Sequence, residues 1–213
     1  MLKKNVMLLF GAALLAGCSL LGSVGIVPPE IAQNNAIMLQ RCRDVNGDFQ
    51  AAQMDMATAL GLQKEVEDKI AAIKTTGEGT EADVDKLYET SREINEIILE
   101  KMRESEPLSD AAKKLMRTGL LKYATGTTKM AVLGKDTLVY VNDIKNKAMS
   151  ASPTDKIAML GSIDTLATLV GEMPGMLTDV VDTGKQFITY AQGQGIDTKQ
   201  AAAALTQAED ADK

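Results

Sequence analysis

The side chains best suited to chemistry in this chain are two cysteines, Cys18 and Cys42, and a set of clustered acids. The 213 residues contain no histidine and no tryptophan. Lacking an imidazole, the chain cannot build a Ser-His-Asp triad, a Cys-His nucleophile or a His-ligated zinc centre. Asp44, Asn46, Asp48 and Asp55 fall at positions 1, 3, 5 and 12 of a calcium-binding loop, where that loop takes its oxygen ligands. The sixth position, however, is Phe49 rather than the glycine needed for the sharp turn. The twelfth is an aspartate, shorter than the usual glutamate. An apolar row also runs straight through Val45, Phe49 and Ala52, so a solvated polar helix face is the better reading. Gly134-Lys135-Asp136-Thr137 lacks the Ser or Thr directly after lysine that a phosphate-binding loop needs. Glu65, Glu67 and Asp68 lie in charged surface with no apolar pocket to shift them toward acid–base work. No catalytic, cofactor-binding or metal-binding residues are assigned, and the expectation is a protein that is not an enzyme.

Cys18 has a different context. Lys3 and Lys4 precede an apolar run from Val6 to Leu15, followed by Ala16 and Gly17. This is the layout of a secretory signal peptide. Its apolar run is about half the ~20 residues a bilayer crossing requires. Leu15-Ala16-Gly17-Cys18 resembles the lipobox of bacterial lipoproteins. The resemblance implies a diacylglycerol on the Cys18 thiol, cleavage of residues 1–17 and acylation of the new amine. Two or more acyl chains make membrane attachment stable where one does not. Ser19 stands where an Asp would signal retention in the inner membrane. The resemblance therefore implies the outer membrane of a Gram-negative bacterium, with the chain facing the periplasm or the cell surface.

Removing residues 1–17 leaves 196 residues, enough for one domain with a real core. Loss of Lys3 and Lys4 takes the formal net charge from −6 to −8. Such a chain, without a basic patch or aromatic platform, is a poor nucleic-acid binder, and its net charge disfavours direct adhesion to anionic lipid heads. Cys42 is then the only other thiol, so no disulfide can form within the chain apart from Cys18. It reads as a small buried hydrophobe, the alternative being a thiol that pairs between chains.

Aromatics make up 3% of the sequence, there are five prolines, and no stretch alternates as a half-buried strand should. The fold class is all-α, an elongated antiparallel helical bundle with coiled-coil-like long helices. Residues 18–29 form a lipidated tether ending in two prolines, 30–208 the bundle and 209–213 a frayed tail. The first helix is expected from Glu30 to Thr75. Ile31, Met38, Val45, Ala52, Ala59, Val66 and Ile73 recur every seven residues. A second row, Asn35, Cys42, Phe49, Met56, Gln63 and Ile70, lies four residues after each of the first six. Such an even seam could also pair two copies of the chain. A turn at 75–80 separates it from a second helix reaching Glu104. A long third helix then carries Leu115, Gly119, Tyr123, Thr127, Met130, Gly134, Leu138, Val141 and Ile144 inward. Ser152-Pro153-Thr154-Asp155 reads as a cap, a first-turn proline and an acid opening a fourth helix. That helix is expected to break at Pro174-Gly175, with a fifth to Ala191 and a short sixth from Asp197 to Leu205.

Two functions fit these features. One is a lipid-anchored interaction module docking onto an envelope assembly, marked by an apolar stripe the bundle leaves uncovered. The other is a small-molecule or lipid-binding protein, marked by a closed apolar cavity of a few hundred Å³. The lipobox makes one direct prediction. Cells given an alkyne palmitate will label the wild-type chain. Cys18→Ala will lose the label and accumulate a precursor longer by the 17-residue signal, read on a gel.

Overall fold

A computed structural model describes residues 27–74 and 81–211. Cys18, the tether to Gly25-Ile26, the turn at 75–80 and the last two residues lie outside these, as do the side chains of Ile73, Lys74 and 81–85. The described residues form seven helices and no strand: α1 (Pro29–Ala59), α2 (Gln63–Lys74), α3 (Glu81–Glu104), α4 (Asp110–Met149), α5 (Pro153–Ser162), α6 (Asp164–Gly193) and α7 (Lys199–Ala211). The architecture is an all-α bundle. At 1.5 Å per residue the 40-residue α4 spans about 60 Å. It is the central element, packing on α1, α5, α6 and α7, while α3 packs on α1, α2 and α6.

The expected first helix is two. Gly61 sits at φ +77°, where a side chain would be strained, and closes α1 with a Schellman motif. The Leu62 amide donates to the Ala57 carbonyl (2.8 Å) and the Gly61 amide to that of Thr58 (3.2 Å). The heptad resumes on α2, where Val66 and Ile70 are buried. Gly195 ends α6 in the same way, with Ile196 donating to Ala191 (2.9 Å).

Pro174-Gly175 does not break the chain where the sequence suggested. Pro174 lies inside α6, and the break falls earlier, at the buried Ile163 between α5 and α6. Proline's missing N–H frees one carbonyl of the preceding turn, and both Pro174 and Gly175 face solvent. The apolar face continues through them at helical spacing, from Leu166, Leu169 and Met173 to Leu177, Val180 and Val181. Ser152 caps α5 as expected, accepting from the Asp155 amide (3.3 Å). Asp197 accepts from Lys199 N–H (3.1 Å), but α7 runs past Leu205 to Ala211, and Glu209 pairs with Lys185 at 2.9 Å.

The α1–α4 pairing fixes everything else. Residues of α1 and α4 meet in antiparallel order, Ala52 and Met56 at Gly119, Phe49 at Gly126, Met38 at Thr137, Asn35 at Tyr140. A Cβ on Gly119 would lie 2.7 Å from Met56 Cγ and 2.8 Å from the Ala52 carbonyl oxygen. One on Gly126 would lie 3.3 Å from the Phe49 ring. These glycines let two long helices approach closely without breaking α4. Along one edge of the seam runs a ladder of ion pairs: Arg41–Asp136 (2.7 Å), Asp48–Lys129 (2.6 Å) and Asp55–Lys122 (2.7 Å). Their positions step by seven on both helices. Half-exposed pairs contribute only about 0–1 kcal/mol each. Their order of sign does more, because a one-heptad slip in one direction would set Arg41 against Lys129 and in the other Asp48 against Asp136.

Two glycine substitutions separate packing from propensity. Gly119→Ala should destabilise the chain by about 1–3 kcal/mol through overpacking. Gly47→Ala, also on a helix but with nothing within 4 Å of its Cβ, should stabilise it by about 0.5–1 kcal/mol. Urea unfolding midpoints of the two variants will move in opposite directions.

Candidate functional site

Two hollows and one exposed face stand out. The first hollow is an apolar cleft of about 70 Å³ where α1, α3, α4 and α6 meet. Cys42, Val45 and Phe49 line it from α1, Met130 from α4, and Met173 and Met176 from α6. Tyr88 of α3 stands at its edge and donates a hydrogen bond to Asp179 of α6 (3.0 Å). Burial, and then the Asp179 carboxylate, raise the Tyr88 hydroxyl to about 12. Cys42 is half-buried with a free thiol. Burial pushes that thiol from 9.0 up to about 11, against the pull of Arg41 and Arg43. Such a thiol is a poor nucleophile at neutral pH.

The cleft sits above a buried polar node. Gln53 Nε2 contacts the Ser91 carbonyl (2.7 Å), the Ser91 hydroxyl (2.9 Å) and Asn95 Oδ1 (2.8 Å). Asn95 Nδ2 donates to the Tyr123 hydroxyl at 3.1 Å. Tyr123 is fully buried, which raises its hydroxyl well above the ordinary phenol range, and its ring meets Phe49 and Phe187 edge-on, each at 5.1 Å. Gln53 Oε1 is buried with no hydrogen-bond partner among the described residues.

The second hollow is a groove of about 340 Å³ beside the ion-pair ladder, lined by Arg41, Asp44, Asp48, Lys129 and Val132. Most of its charges are engaged: Arg41 by Asp136, Asp48 by Lys129, and Asp44 by Gln40 (2.9 Å).

The exposed face belongs chiefly to α4. Leu121, Val132, Leu138, Val139 and Met149 stand out from it, with Ile37 of α1 and Ile157 of α5 nearby in the fold. Leu115 and Leu138, expected inward, are exposed. Val139, Met149 and Ile157 were not singled out by spacing. The signal for Val139 was the run Leu138-Val139-Tyr140-Val141, four apolar residues that cannot all face one side of a helix.

The other residues weighed for chemistry are dispersed. Asp44, Asp48 and Asp55 share one side of unbroken α1 but span about 16 Å of its axis, too far to converge on one ion. Asp48 and Asp55 are held by lysines of α4. Asn46 points instead toward the apolar cleft. No group of three acidic or cysteine side chains placed to hold a metal occurs among the described residues. Gly134 to Thr137 lie mid-helix, with Gly134 pressed against Met173 and Thr137 bonded to the Leu133 carbonyl (2.7 Å). Glu65, Glu67 and Asp68 are exposed on α2. The first-helix seam is occupied within the chain by α4, and Cys42 faces the cleft. Among the described residues no helix is long and apolar enough to cross a membrane. Compared with known families, with curated proteins and with solved structures, the chain matches none.

The Cys42 environment is open to a direct check. A maleimide or disulfide probe should react slowly at neutral pH and fast in denaturant. In the folded chain the rate should keep climbing to about pH 11, whereas an unfolded thiol levels near 9.0. The same shift makes stability fall as pH rises from about 9 to 11, because only the unfolded thiol ionises readily there.

Proposed function

We propose that this chain is a lipid-anchored, non-enzymatic interaction module of the bacterial envelope. It is held by acyl chains on Cys18 at the outer membrane, facing the periplasm, and presents a long helical surface to an envelope assembly. The observation that carries this reading is the direction of the uncommitted apolar surface. The apolar cleft holds about 70 Å³, far below the 300–1,000 Å³ typical of ligand pockets. By contrast, eight large apolar side chains of the described residues are exposed. Six of them sit on α4, and Leu121 and Val132, eleven residues apart, share one side of it. Exposed apolar side chains aligned along a helix favour a helical or grooved partner. The imidazole-free sequence and engaged charges agree with binding rather than catalysis. The partner is an envelope protein, whose pathway the experiment identifies.

A photo-crosslinking amino acid at Leu121 or Val132, introduced in cells, tests it. One adduct of defined mass, present with wild-type Cys18 and lost with Cys18→Ala, is the expected outcome. An absence of any adduct from both positions, with crosslinker at exposed Lys114 as the comparison, would remove the docking role.

A further inference from the structure

The exposed residues are not evenly distributed. The most exposed apolar side chains are Met149 (71%), Val139 (69%) and Ile157 (62%). All three belong to the end of the bundle where the described chain begins. There Val27 and Ile31 pack with Ile144, Ala148, Met159 and Ile163 as a separate core cluster. The Tyr140 hydroxyl donates to the Ile31 carbonyl (3.1 Å), and Asn35 bonds the Ser162 carbonyl, tying α1, α4 and α5 together at this end.

On α4 the surface row here reads Lys135, Leu138, Asn142, Lys145, Met149, with Val139 and Asn146 beside it. The steps are three and four, so these side chains share one side of the helix. All are exposed. The row itself contains no acid, and the two acids on its flank, Asp136 and Asp143, are paired with Arg41 and Lys147. Neither Lys135 nor Lys145 forms an ion pair with another described residue, and the same holds for Lys113, Lys114 and Arg117 at the other end of α4, so it is reach from Cys18 that separates the two ends. Apolar side chains interleaved with free lysines are the pattern of a helix lying on an anionic lipid surface.

Covalent geometry places a membrane within reach. Nine residue steps separate Cys18 from Val27, at most about 30 Å when extended. The Lys135–Met149 row is about 21 Å long. An anchor at Cys18 therefore holds this end, and not the Leu115–Leu121 end of α4, against the bilayer.

We infer that the Lys135–Met149 face of α4, with Ile157 of α5, seats on the surface of an anionic lipid bilayer. The inference rests on the anchored reading above. It deepens that reading, since the seat fixes how the bundle stands on the membrane and leaves Leu115, Leu121 and Val132 for the protein partner. Each free lysine near an anionic surface strengthens attachment by about fivefold, and the leucine, valine and methionine side chains add apolar transfer.

The test uses the mature chain, residues 18–213, with Cys18→Ala, so that binding does not depend on acylation. Flotation with vesicles of phosphatidylethanolamine and phosphatidylglycerol should recover the protein, less so as salt rises. Val139→Asp with Met149→Asp should weaken recovery by about tenfold or more. Leu115→Asp with Leu121→Asp, also at exposed sites, should leave it unchanged, with circular dichroism confirming that both variants are folded. No flotation of the parent chain, or equal loss in both double variants, overturns the seat and hands this face to a protein partner. Palmitate labelling of Cys18 reads the anchor separately. Flotation without labelling sinks the anchor alone, and labelling without flotation sinks the seat alone.

Discussion

The absence of a Cβ at Gly119 and Gly126 is the constraint on which the rest of this bundle depends. At Gly119 a methyl group would fall inside contact distance of both Met56 and the Ala52 carbonyl. The two longest helices therefore approach as closely as side-chain-free surface allows. Glycine in a helix interior costs about 1 kcal/mol against alanine. That cost is met here by apolar burial of Ala52, Met56, Phe49 and Tyr123 along the same seam. With α4 held against α1 in one register by these close contacts and the ladder of ion pairs, the other faces of α4 become the platform for α6 and α7. The same device recurs there. Gly184 of α6 receives Leu205 of α7 and the Tyr123 ring, which would otherwise meet a Cβ at 2.7 and 3.4 Å.

Tyr123 shows what this close packing demands of polar groups. Its ring is clasped by Phe49 and Phe187, from helices on opposite sides of α4, and its hydroxyl is reached by Asn95 from α3. A buried phenol hydroxyl without a partner costs about 1–3 kcal/mol. Asn95 supplies the donor, and Gln53 in turn supplies one to Asn95 and to the Ser91 carbonyl. Three helices, α1, α3 and α4, are thus tied to one hydroxyl through directional bonds. This gives the core a specificity that leucine and methionine packing alone would lack.

The sequence carried the helical class and most of the core because both depend on periodicity alone. Ile31, Ala52, Phe49, Met56, Val66 and Ile70 are buried where the heptad placed them. Breaks were less legible, since a glycine or proline states what the backbone can do and not what tertiary contacts require. Gly61 broke a seam that looked continuous because its φ is positive. Pro174 did not break α6 because its lost hydrogen bond faces solvent and the apolar face continues on both sides. Gln53 was invisible to the heptad because α1 has two buried faces. Ala52 and Met56 turn toward α4, and Gln53 beside them turns toward α3. The exposed α4 face was half hidden for a related reason. Leu138 kept helical spacing from Val141, and only the packing of Val141 and Ile144 into the end cluster shows which side is inward.

The two ends of α4 have different physical characters. Toward its N-terminal half the helix is covered by α1, α6 and α7, and Lys122 and Lys129 pair with Asp55 and Asp48. Toward its C-terminus α7 no longer covers it, the core narrows to the cluster of Ile31, Val141, Ile144, Ala148, Met159 and Ile163, and unpaired lysines appear between exposed apolar side chains. A bundle free in solution gains nothing from that composition, since exposed leucine, valine and methionine add no folding energy and promote association. A bundle fastened near residue 27 has a fixed neighbour at that end and none at the other. The anchor proposed at Cys18 would account for this asymmetry, since it would set the open apolar face of α4 where a surface is close.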